Sequence, residues 1–153
     1  MATSSIVTIG ARWRSCAPYF LSIARIAAAF LIIQPGAAKL FAFPQPMLPG
    51  AGPAPLLSLV GIAGILEVVG GLLLLAGLFT RPVAFILSGE MAVAYLMFHA
   101  PQSFWPIINH GELAFIYCFF WLYISAAGPG PWSLDALRRS DSARSGMAPR
   151  SVG

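Results

Sequence analysis

A chain of 153 residues that is 58% hydrophobic and only 9% charged has far fewer charges than the roughly 25% of a water-soluble domain. Its mean hydropathy of +0.80 points to an integral membrane protein, and its length fits one domain. The net charge of +4 does not mark a nucleic-acid binder, because seven of the nine Lys/Arg fall in the tails or in one short turn. The expected partner is therefore the lipid bilayer and not nucleic acid. Two distant cysteines, Cys16 and Cys118, with no CxxC exclude a disulfide scaffold and a local dithiol motif.

Residues 1–17 read as a basic N-terminal tail carrying Arg12 and Arg14. A spanning helix needs about 20 apolar residues, and four stretches qualify. The first, about 18–41, has an apolar run longer than that of a cleaved signal peptide. A charge-free, proline-rich loop, AFPQPMLPGAGPAP, separates it from the second stretch, about 56–79. Five prolines exclude regular helix or central strand from that loop. The third stretch, about 82–99, follows almost at once through Thr-Arg-Pro, which demands an antiparallel hairpin. APQSFW leads to the fourth, about 106–127. The prediction is an all-α integral membrane four-helix bundle over residues 18–134, followed by a disordered basic C-terminal tail over 135–153.

With four spans, Arg12, Arg14, Arg81, Arg138, Arg139, Arg144 and Arg150 all fall on one side. The positive-inside rule then places both termini in the cytoplasm.

Five ionisable residues remain within or at the ends of the spans: Arg25, Lys39, Glu67, Glu90 and Glu112. A charge at the bilayer centre costs about 2.5–3.5 kcal/mol on insertion scales, so such groups usually face each other. At 1.5 Å per residue, Arg25 lies roughly 10 Å, Glu90 roughly 12 Å and Glu67 roughly 18 Å from the cytoplasmic ends of their helices. Glu112 and Lys39 lie deeper, at roughly 22 and 30 Å. Two layers are expected: Arg25 with Glu90 and Glu67, and Lys39 with Glu112, Asn109 and His110. Small residues flank Glu67 (Ala63, Gly64, Gly70, Gly71) and permit close helix approach, so its side chain is expected to meet another helix. These groups read either as ion pairs that fix the packing or as a polar pocket. Two histidines eleven residues apart, His99 and His110, make no metal site. Tyr95, Tyr117, Trp121 and Tyr123 are packing residues or cavity walls.

The chain resembles the DoxX family of small bacterial inner-membrane proteins with four helices. The resemblance rests on Arg25, on GAAKLF with Gly36 and Lys39, and on GILEVVGGLLLLAGLFTR with Glu67, Gly70, Gly71, Gly77 and Arg81. It continues through NHGELA, where His110 replaces a usual glycine, to GPGPWSLD, and so covers about residues 22–137. Glu90 has no match in the family pattern. The resemblance implies quinone-coupled oxidation of sulfur compounds, or a membrane complex handling thiol or oxidative stress.

In the first functional reading, the chain is a subunit of a quinone-linked oxidoreductase. Glu67 and Glu112 would serve catalysis by moving protons, and Arg25, Lys39, Glu90, Asn109 and His110 would bind substrate. Quinone is then the cofactor, and an oxidoreductase partner supplies the electrons. The alternatives are a non-catalytic membrane scaffold or assembly subunit, and a proton or small-solute carrier that would need a homo-oligomer.

Overall fold

The structure, a computed structural model, describes residues 2–47, 50 and 52–146, with side chains for 13–47, 50 and 52–142. The described residues form six helices and no strand: α1 (Ala2–Phe41), α2 (Leu59–Ala76), α3 (Thr80–Ala94), α4 (Pro106–Asn109), α5 (Glu112–Ala127) and α6 (Leu134–Gly146). A π-helical turn, Tyr95–His99, extends α3.

Helix α1 buries Ser22, Arg25, Ala29, Ile32 and Gly36, a spacing of three and four that marks one face of a 3.6-residue helix. The matching face of α2 is Gly61, Gly64, Glu67, Gly70, Gly71 and Leu74. With so many glycines, the two antiparallel backbones close on each other. A Cβ on Gly36 would sit 2.8 Å from the Glu67 Cβ and 3.0 Å from the Gly64 carbonyl oxygen, so only hydrogen fits there. Ser58 starts α2 by accepting from the Gly61 N–H at 3.0 Å. Gly77 ends it in the left-handed region, at φ 68°, which only glycine enters freely.

Helix α3 packs against α5 through Thr80, Ala84, Leu87, Ser88 and Met91 facing Ala114, Trp121 and Ile124. The Ser88 hydroxyl donates to the Cys118 carbonyl at 2.7 Å, and Trp121 stacks on Tyr117 with centroids 5.9 Å apart. The outward faces carry large apolar side chains, Phe30 60%, Phe85 64% and Ile116 62% exposed, which a protein in water would bury. Three segments are long and apolar enough to cross a membrane: Trp13–Phe41, Leu59–Ala76 and Thr80–His99. Helix α5 is a shorter apolar helix of 16 residues.

Several expected boundaries move. Helix α1 begins at Ala2 and runs through Pro18 and Pro35, so residues 2–17 are helical rather than a separate tail. The expected helix over 106–127 breaks at His110, which takes φ 55°. The Asn109 side chain closes that turn, accepting from the Gly111 N–H at 2.8 Å and donating to the Ser103 carbonyl at 2.7 Å. The tail expected to be disordered is helical over Leu134–Gly146, and Asp135 in its first turn is bonded to the start of α3. The rest of that tail, 147–153 with Arg150, lies outside the described residues, as do the side chains of Arg12 and Arg144.

Candidate functional site

Lys39, near the end of α1, reaches the buried carboxylate of Glu67 on α2. Its Nζ donates to both oxygens, Oε1 and Oε2, each at 2.5 Å. The expected layers are therefore re-sorted: Lys39 pairs with Glu67 and not with Glu112. The cause is register. Antiparallel packing of α1 on α2 puts Lys39 against Gly64, one turn from Glu67, whereas Arg25 falls at the far end of α2.

Arg25 is fully buried and meets neither Glu67 nor Glu90. Its Nη1 donates to the Leu74 carbonyl and, at 3.1 Å, to that of Leu75. Its Nε donates to Pro129 at 2.9 Å and its Nη2 to Trp132 at 2.5 Å. It thereby ties the last turn of α2 to the Gly-Pro-Gly-Pro-Trp segment. The final carbonyls of a helix lack intrahelical partners and carry the negative end of its dipole, so a buried cation is stable there. Arg81 treats α5 in the same way, its Nη1 donating to Ser125 at 3.1 Å and Ala126 at 2.7 Å.

Asp135 does the reverse for α3. Its carboxylate accepts from the Phe79 N–H at 3.0 Å and the Thr80 N–H at 2.9 Å, because Phe79 offers no side-chain cap of its own. Partial burial pushes this carboxyl up, but the two N–H bonds and the nearby Arg138 charge outweigh it and hold the pKa below the ordinary value. A depressed carboxylate pKa contributes stability that is complete above its unfolded value, about 3.9, and is lost as pH falls through the folded value. Asp135→Ala should accordingly cost about 0.5–2 kcal/mol at neutral pH and flatten the loss of stability below about pH 4. Thermal unfolding of both proteins from pH 7 down to pH 3 checks this, and parallel curves would refute it.

At the opposite end of the helices, Lys39 opens onto a cleft of about 340 Å³ between α1, α2 and α3. Its walls are mostly apolar, including Leu59, Ile62, Leu66, Val93 and Phe98, and its polar members are Lys39, Glu90 and His99. Glu90 is within electrostatic reach of both Glu67 and Lys39. Its Oε2 is buried and has no hydrogen-bond donor among the described residues. A buried carboxylate oxygen without a donor is costly to leave unmade, which makes it the most distinctive polar atom of the cleft. The His99 Nδ1 lies 2.9 Å from the Asn109 carbonyl. A carbonyl only accepts, so Nδ1 carries the proton, and Nε2 is an acceptor in the neutral ring.

The remaining expected site residues lie elsewhere. Asn109 is buried but committed to its turn. His110 and Glu112 are exposed and do not line the cleft. Glu112 sits in the first turn of α5, where a negative charge suits the helix dipole. The cleft takes His99 instead, which the sequence offered only as one of two histidines too far apart for a metal site. On a regular α-helix, residues nine apart face roughly opposite ways, so Glu90 and His99 do not read as partners. The π-helical turn re-phases the chain, and nothing in the sequence announces it. No group of three or more His, Cys, Asp or Glu suited to a metal ion occurs among the described residues.

Comparison with known proteins bears on this arrangement. A DoxX family model matches residues 20–100, the segment holding Arg25, Lys39, Glu67, Glu90 and His99. An uncharacterised protein of Haemophilus influenzae is 46% identical over 123 residues, covering 77% of this chain and 90% of that relative. No solved structure matches the chain. With more than half of the chain matched by that family model, this membrane protein belongs to the DoxX family.

Proposed function

We propose that the protein crosses the bacterial inner membrane four times, through α1, α2, α3 with its π-helical turn, and α5, with both termini in the cytoplasm. Arg14, Arg81, Arg138 and Arg139 support this topology, since in that arrangement they all lie on one side. Within it, the cleft binds an amphipathic ligand with a hydrogen-bonding head, of the quinone class, in the service of a redox or thiol-stress complex.

One observation carries this reading: a mostly apolar cleft whose polar members include the paired Lys39 ammonium and the donorless Glu90 Oε2. An apolar pocket with a few convergent polar groups is what a ligand site requires. Two Lys39 protons are engaged on Glu67, and a third remains for a ligand carbonyl. Glu90 accepts from a ligand hydroxyl, and it or His99 relays the proton that accompanies reduction. Electron supply is assigned to a partner oxidoreductase, since the chain has no CxxC pair.

Purified protein in lipid nanodiscs should show a saturable thermal shift with a short-tailed quinone. Glu90→Ala should weaken binding of the reduced, hydroxyl-bearing form by about 3- to 10-fold, the loss of one hydrogen bond. Absence of any quinone-dependent shift, or identical titrations for the two proteins, would remove the proposal.

A scaffold role is favoured by a different observation. Arg25, Arg81 and Asp135 all close helix ends with their polar groups, and Gly36 seats tightly on Glu67. In this second reading the charges specify packing alone, and the paired apolar replacement described in the Discussion separates it from the first.

A further inference from the structure

A second hollow, of about 380 Å³, lies at the end of the bundle away from the cleft, where α3 starts and the chain leaves α5. Its charged lining is Arg81, Arg138, Arg139 and Asp135, with Phe79 beside them. All three arginines are exposed. The single carboxylate, whose oxygens accept from the N–H groups of Phe79 and Thr80, offsets only one of these three charges and leaves the hollow net positive. Each guanidinium is also held in place. Arg81 spends Nη1 on the end of α5. Arg138 lies over the Phe79 ring, 5.4 Å from its centroid. Arg139 donates from Nε to the Asp135 carbonyl at 3.3 Å. Three arginines with guanidinium donors still free therefore line one hollow.

The depth of this hollow is equally specific. Thr80 begins a segment long and apolar enough to cross a membrane, so the arginines stand at headgroup level. Phe79 and Phe85, 53% and 64% exposed, present apolar surface beside and below them. Guanidinium forks match phosphate oxygens in pairs, and basic hollows between spanning helices at a membrane face suit anionic lipid heads.

We propose that this hollow is a binding site for the phosphate group of an anionic phospholipid of the phosphatidylglycerol type, whose acyl chains descend along α3. The site requires neither the quinone reading nor a particular topology, only that the start of α3 lies at a lipid–water boundary. It is an electrostatic seat on the bundle end that Arg25, Arg81 and Asp135 hold together.

Native mass spectrometry of detergent-solubilised protein tests it, with phosphatidylglycerol, phosphatidylcholine or inorganic phosphate added separately. Phosphatidylglycerol should stay bound and raise the unfolding temperature, while the other two should do neither. Arg138→Gln with Arg139→Gln should weaken phosphatidylglycerol binding by about 30-fold, from roughly fivefold per arginine near the surface. The charge-preserving pair Arg138→Lys with Arg139→Lys should retain most of it. If the double glutamine variant does not fold, Arg139→Gln alone is read, with about fivefold expected. Equal retention of phosphatidylcholine, an equal response to inorganic phosphate, or unchanged binding in the glutamine variants would each overturn the site.

Discussion

Lys39→Met should destabilise the protein by about 3–5 kcal/mol, the cost of leaving a buried charge without its partner. The Lys39 and Glu67 side chains are 13% and 2% exposed, so water does little to replace the lost ammonium. Gly36 seats α1 against the Glu67 Cβ, and Gly64 seats α2 against Leu40 and Lys39, so the two helices are close-packed around the pair. The double replacement Lys39→Met with Glu67→Met should recover stability to within about 1 kcal/mol of the parent or exceed it, since it removes both desolvation penalties at once. Unfolding in mixed micelles over a denaturing-detergent titration gives both values. A Lys39→Met protein as stable as the parent would show that the pair does not hold the charge. The double variant also decides between the two functional readings. Under the ligand reading it folds and loses quinone binding. Under the scaffold reading it folds and keeps the protein's role in its complex.

Arg25→Met should cost about 3 kcal/mol or more, because the carbonyls of Leu75, Pro129 and Trp132 lose this donor together while Leu74 keeps only the Gly77 N–H, each unsatisfied buried group costing about 1–3 kcal/mol. Arg25→Lys should rescue little. A single ammonium cannot reach carbonyls on two separate elements, whereas the planar fork does so at once. The two losses differ in where they are felt. Removing Arg25 frees the segment from Gly128 to Asp135, and Asp135 caps α3, so limited proteolysis after residue 127 should accelerate in the Arg25 variants and not in the Lys39 variants. Cleavage at the parental rate in Arg25→Met would refute the clamp.

The arginine clamp accounts for a feature that the sequence left unexplained. The GPGPWSLD segment contains two prolines and two glycines and reads as a loop between the last span and a tail. Its carbonyls at Pro129 and Trp132 receive Arg25, and its aspartate supplies the cap that α3 lacks. Charged side chains thus complete three helix termini at the same end of the bundle: the end of α2, the start of α3 and the end of α5. The cleft lies at the other end, so disruption of the clamp and disruption of the cleft are separable by mutation.

Composition and periodicity alone settled that the chain is helical and belongs in a membrane. These are local properties: an apolar run fixes burial in lipid, and a spacing of three and four fixes the face. The cost of a charge in lipid also led to the expectation that Arg25, Lys39 and Glu67 face other helices, as they do, and that Glu112 does, as it does not. Which charge meets which was not legible. Depth measured from the helix ends grouped Arg25 with Glu67, because a shift of one or two turns in the α1–α2 register leaves the sequence unchanged. Only the packing of Gly36 and Gly64 against the neighbouring helix sets that register, placing Lys39 on Glu67 and Arg25 on the last carbonyls of α2. The π-helical turn that brings His99 to the cleft, and the break at His110 that leaves Glu112 exposed, were likewise decided by tertiary contacts. The local sequence there suits an unbroken helix about as well, so the bonds of Asn109 across its turn made the choice.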